Sequence, residues 1–94
     1  MKTRMDYTII TVEYIGVYSN SMIAWGPITR FIEDFGFTAI PEYESRETFG
    51  IIREHDIWVY TNLHNVEELI PIIQQRYGDY PFIRSIYIKE QEGT

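Results

Sequence analysis

The feature that most constrains the fold is the run from Tyr7 to Ile15, in which side chains alternate between two faces until Gly16 ends it. Thr8, Ile10, Val12 and Tyr14 share one face; Tyr7, Ile9, Thr11 and Glu13 share the other. Sustained period-two alternation predicts a strand. The apolar stock agrees. The chain has sixteen Ile against two Leu, with eight Tyr, five Phe and two Trp, residue types that suit a pleated, half-buried surface.

The remaining elements follow from local signals. Pro27 sits where a first helical turn tolerates it, and Ile28, Phe31, Ile32 and Phe35 follow at i, i+3, i+4 and i+7. Gly36 predicts the stop. Thr38 to Glu44 reads as a strand. Pro41 inside it cannot donate to a ladder, which places the strand at a sheet edge or at a bulge. Phe49 to Arg53 and Ile57 to Thr61 are two further apolar runs, readable as a hairpin turning at His55-Asp56 or as one long bent strand. Asn65 and Glu68 predict a capped helix start before Leu69, Ile70 and Ile73. Pro71 is expected to kink that helix or delay it, and Gly78 to end it. A turn at Tyr80-Pro81 and a last strand over Ile83 to Ile88 complete the order, with residues 1–6 and 90–94 expected to fray.

Strand, helix, two or three strands, helix, strand is the order of an α+β ferredoxin-like sandwich: an antiparallel sheet of four to five strands with two helices on one face. At 94 residues, 1–94 is one domain. Tyr7, Ile9 and Ile15, with Trp58 and Tyr60, leave the other sheet face partly apolar. A second copy of the chain would cover it, so a homodimer is expected.

Charge narrows the function. Fourteen Asp and Glu stand against eight Lys and Arg, a formal net charge of −6. Glu33, Asp34, Glu42, Glu44, Glu47, Glu54 and Asp56 fall close together in sequence, interrupted only by Arg46 and Arg53. Such a surface repels nucleic acid and acidic membranes and attracts basic proteins. Sheet aromatics can stack RNA bases, but phosphate needs a basic face, and the chain has only Lys2 and Lys89 as lysines. No apolar run approaches the ~20 residues that span a bilayer. Asp6 and Glu13 interrupt any leader-like segment. With no Cys, there is no disulfide or thiolate chemistry. A cytoplasmic protein is expected.

Catalytic motifs are missing. Ser19, Ser21, Ser45 and Ser85 lie in no G-x-S-x-G or S-x-x-K pattern, and the glycines form no phosphate cradle. The loop after the first strand, Gly16-Val17-Tyr18-Ser19-Asn20, lacks the Arg that acyl-phosphate hydrolysis on this topology would need. Glu54-His55-Asp56 reads as a polar turn rather than a metal centre, because strand neighbours point to opposite faces and a metal wants three or four converging ligands. His64 reads as part of a helix entry. The expectation is a non-enzyme with no cofactor and no metal.

The acids can be a solvated surface, or they can imitate phosphates. Glu42 and Glu44, two apart on a strand, would share a face about 6.7 Å apart at the usual strand rise, close to two steps of one DNA strand at about 3.4 Å each. Glu33 and Asp34 oppose the dipole at a helix end, whereas Glu67 and Glu68 suit theirs. The stretches Ile32-Glu33-Asp34, Pro41-Glu42-Tyr43-Glu44 and Arg53-Glu54-His55-Asp56, in a short Cys-free chain rich in Ile and Tyr, make it similar in size and character to the small acidic early proteins of T-even-like phages, the anti-restriction nuclease DNA mimics among them. That resemblance implies a dimeric inhibitor whose acids bind a basic DNA-binding host protein, a restriction nuclease or a nucleoid protein, and block its access to DNA. Tyr43 would add contact area. The residues also leave open a small-ligand regulatory module of ferredoxin-like fold, an acidic immunity-type protein capping a basic toxin, and a small isomerase or hydrolase built on a buried carboxylate or histidine of shifted pKa.

Overall fold

The computed structural model describes residues 7–16, 22–60, 66–80 and 82–92. The elements are β1 (Tyr7–Ile15), α1 (Met22–Asp34), β2 (Thr38–Pro41), β3 (Arg46–Phe49), β4 (Ile52–Tyr60), α2 (Val66–Tyr77) and β5 (Ile83–Glu92). The sheet is antiparallel, in the order β2-β4-β1-β5, with β3 also paired to β4. This is the ferredoxin-like α+β sandwich that the element order predicts.

Proline explains the edge. Pro41 ends β2, and residues 42–45 leave the ladder before β3 resumes it on the same neighbour, β4. One hydrogen bond, from the Glu42 N–H to the Asp56 carbonyl (2.9 Å), spans the break. β2 and β3 are thus two halves of one interrupted edge strand. The strand read over Thr38 to Glu44 is accordingly shorter. Gly50, with φ +60°, turns the chain into β4. His55-Asp56 therefore lies in the middle of one continuous strand, and the alternative of a hairpin turning there is set aside.

Two other boundaries differ from the sequence reading. Helix α1 begins at Met22, so Pro27 is its sixth residue rather than its first-turn marker. Helix α2 carries Pro71 at the equivalent position. Early in a helix a proline forfeits one hydrogen bond without dividing the element. Residues 90–92 are not a frayed tail but the end of β5. Gln91 Nε2 donates to Thr8 Oγ1 (3.1 Å) and the Tyr7 hydroxyl to Glu90 (2.9 Å), after a register shift opposite Ile9/Ile10. The cap read at Asn65, Pro81 of the expected turn, the N-terminal residues 1–6 and His64 lie outside the described residues. Gly36 ends α1 as expected, at φ +95°.

Both helices cover one face. Ile10, Val12, Tyr14, Ile57, Val59 and Ile86 point from the sheet onto Ile28 and Ile32 of α1 and Val66, Leu69 and Ile73 of α2, all buried. Each such side chain contributes about 1.5–3 kcal/mol over its exposed state. Phe35, read as part of the α1 core face, is half exposed at the helix end. On the open face the chain's own aromatics do part of the covering. Tyr7 lies against Trp58 (centroids 4.8 Å apart) and Trp58 stacks near Tyr60 (6.3 Å), leaving Ile9 only 5 % exposed.

Candidate functional site

β4 carries two neighbouring polar residues to opposite faces of the sheet. Pairing of Thr11 with Asp56 and Val12 with His55 puts Asp56 on the open face and His55 on the helix side.

Asp56 is 2 % exposed, yet it is fully partnered. Arg46 of β3 donates through both terminal nitrogens (2.9 and 2.8 Å), Lys89 of β5 at 3.2 Å, and Thr11 of β1 at 2.9 Å. Burial pushes its carboxyl up, but the hydrogen bonds of Arg46, Thr11 and Lys89 outweigh that and hold it below the usual carboxylate range. The same hydrogen bonding raises Arg46 further above its ordinary range. Next along the strand, Glu54 accepts from Arg46 (3.4 Å) and from the Tyr87 hydroxyl (2.5 Å). Burial and that bond push Tyr87 up to about 12. One buried anion thus ties side chains of β1, β3 and β5 to β4.

His55 is 1 % exposed, and its ring lies flat on Trp25 of α1, with centroids 4.1 Å apart and planes 2° apart. Nδ1 is 2.7 Å from Ser45 Oγ, and the Tyr14 hydroxyl donates to the same oxygen at 2.6 Å. Ser45 has one proton. If Nδ1 carried a hydrogen, Ser45 would accept twice and its own proton would have no acceptor among the described residues. The arrangement that uses both hydroxyl hydrogens is Tyr14 to Ser45 to His55, which places the ring hydrogen on Nε2. Burial likewise pushes His55 below its ordinary 6.5, against the backbone carbonyl of Glu42 and the carboxylates of Glu42 and Asp56. That carbonyl forms no hydrogen bond with Nε2. His55 Nε2 and Trp25 Nε1 are both buried without a partner, an omission that costs about 1–3 kcal/mol for each donor.

Both rings line a cleft of about 340 Å³ beneath the edge break, with Tyr43, Glu44, Ser45 and Arg53. Arg53 lies over Gly16 so closely that a Cβ there would stand 2.3 Å from Arg53 Cδ. Its guanidinium donates to the Ser45 carbonyl at 3.3 Å.

The seven acids singled out in the sequence separate into two groups. Asp56 is enclosed and neutralised, Glu54 is paired, and Glu42 is half-buried and accepts from Trp58 Nε1 (3.2 Å). Glu33, Asp34, Glu44 and Glu47 are exposed and unpaired among the described residues. Glu42 and Glu44 do not share a strand face, because residues 42–44 lie outside the ladder, so the 6.7 Å strand spacing does not apply to them. Nor is Glu54-His55-Asp56 a turn. The sequence did carry a signal for His55, which is in phase with the apolar Ile57 and Val59. Nothing marked Trp25, Ser45 or Tyr14 as its partners, since they meet it from three separate elements. No group of three or more His, Asp or Glu side chains among the described residues could hold a metal ion, and no helix among them is long and apolar enough to cross a membrane.

Compared with known proteins, the chain matches no family model, no curated protein and no solved structure.

Proposed function

We propose that the protein is a non-enzymatic acidic inhibitor, which binds a basic DNA-binding protein of the host cell and competes with DNA for it. One observation supports this reading: the cations that interrupt the acidic segment are half-buried and engaged by the chain itself. Arg46 is held by Asp56 and Glu54, and Arg53 donates to the Ser45 carbonyl. Asp56 and Glu54 are balanced by Arg46 and Lys89. What remains at the surface is Glu33 and Asp34 at the end of α1, then Glu44 and Glu47 further along the edge that β2 and β3 form. Exposed carboxylates without partners raise the local negative potential over several ångströms.

A pull-down from bacterial lysate at low salt tests this. DNA-binding proteins should be retained, released by salt, and displaced by added duplex DNA, because exposed charges are screened within about 10 Å at 0.1 M salt. Reversal of Glu33, Asp34 and Glu47 to Lys should abolish retention. Unchanged retention by that variant would sink the proposal.

A further inference from the structure

We propose that the open sheet face is the interface of a homodimer, with a two-fold axis that crosses the strands at the middle of β4 and turns the two copies end for end. Both helices cover the other face. The edge formed by β2 and β3 carries four residues on the open face, in an order that is its own complement. Ile40 pairs with Trp58, Arg46 with Glu54 and Phe49 with Ile52. Trp58, Glu54 and Ile52 are in phase with Asp56, so Ile40, Arg46 and Phe49 share the open face with them. Glu42 joins them, since its Oε1 accepts from Trp58 Nε1 (3.2 Å). From 40 to 49 the order is apolar, acid, base, apolar. Ile52 and Trp58 stand equally far from His55, the centre of this pattern. Turned about that centre, Phe49 of one copy lies on Ile40 of the other and Arg46 on Glu42, and each contact occurs twice. Phe49 is 80 % exposed and Ile40 53 %, and the Arg46 side chain keeps 38 % of its surface, so all three have surface left to bury.

Charge supplies the second argument. Two copies at a net charge of −6 each repel, and they meet most readily where carboxylates are already partnered. The open face is such a place. Glu13 is paired with Arg84 (3.6 Å), Glu42 with Trp58, and Glu54 and Asp56 with Arg46, Tyr87 and Lys89. The unpaired acids lie off it. Glu33 and Asp34 belong to α1, Glu44 lines the cleft beside His55, and Glu47 pairs with Arg53, in phase with His55. Size is adequate as well. Four strands abreast over nine residues make a face of about 19 by 30 Å. With its aromatic relief that is of the order of the ~800 Å² which each partner of a stable complex buries. The interface leaves the unpaired acids outside it, so it stands whether or not they hold a basic protein.

Sedimentation of the purified chain tests this. A dimer is expected at roughly 100 µM, well above a micromolar Kd. Phe49→Asp and Ile40→Asp change exposed side chains, and each should weaken dimerisation at least ~10-fold, with circular dichroism showing that the variants fold. The chain has no Cys, so single Ile40→Cys and Phe49→Cys variants report the arrangement. Mixed and oxidised, the two variants should crosslink to each other and much less to themselves, because like positions stand about 20 Å apart along the strands. A chain that is monomeric at 100 µM overturns the proposal and leaves the face to a different partner. Full dimerisation by folded Phe49→Asp overturns it too, as does self-crosslinking of either cysteine variant as fast as the mixture.

Discussion

His55 and Asp56 are adjacent on one strand, and the sheet treats them in opposite ways. Asp56 is the more costly group to bury, yet every demand it makes is met, by side chains from three other strands. His55 is the cheaper group, and it is left with an unmet donor stacked on another. A charged residue inside a small domain persists because the fold is organised around it. An incompletely partnered histidine on the opposite face is a cost that the surrounding packing offsets.

The sharpest way to break the contrast is Asp56→Ala. It removes the anchor of Arg46, Lys89 and Thr11, and urea unfolding should show a loss of about 2–3 kcal/mol, below the 3–5 of a fully buried pair because both cations can turn to water. His55→Phe keeps a ring on Trp25 and removes an unmet donor, so a loss under about 1.5 kcal/mol is expected. Equal losses from the two would mean that the faces do not differ as described.

Acid titration of stability separates the same two residues. The folded state holds His55 below 6.5, so the unfolded chain takes up that proton first, and stability should fall as pH drops below about 6.5. Asp56 is held below 3.8, so its contribution is present above that value and is lost as pH falls further, through its folded-state pKa. Chemical denaturation at a series of pH values should therefore show two declining limbs. His55→Phe should remove the upper limb and leave the lower one. The smallest expected effect is Tyr14→Phe, about 0.5–1.5 kcal/mol for one hydroxyl hydrogen bond. Its useful readout is the His55 ring in a nitrogen spectrum, where loss of the Tyr14 donor frees Ser45 and allows both ring tautomers.

Much of the frame was legible in the sequence, because it rests on local rules. Alternation marked β1, Gly36 the end of α1, and Pro41 the edge. The site was less legible. Once residues 42–45 step out of the ladder, spacing along the chain no longer gives the facing of Glu42 and Glu44. The burial of Asp56 could not be read locally either. It sits in phase with Trp58 and Tyr60 on the open face, and only Arg46 and Lys89, brought in from β3 and β5, enclose it. Likewise Trp25, Ser45 and Tyr14 converge on His55 from α1, the edge break and β1.

The interrupted edge has a consequence for how copies of the chain can meet. A bare sheet edge invites another strand to add on, and repetition of that step builds fibrils. Here neither half of the edge offers more than four residues, and Pro41 supplies no N–H between them. The opposite border, β5, is longer but carries Arg84, Lys89 and Glu90 and is kinked by two register shifts against β1. Growth by strand addition is disfavoured at both borders, which leaves the faces as the better place for a second copy to associate.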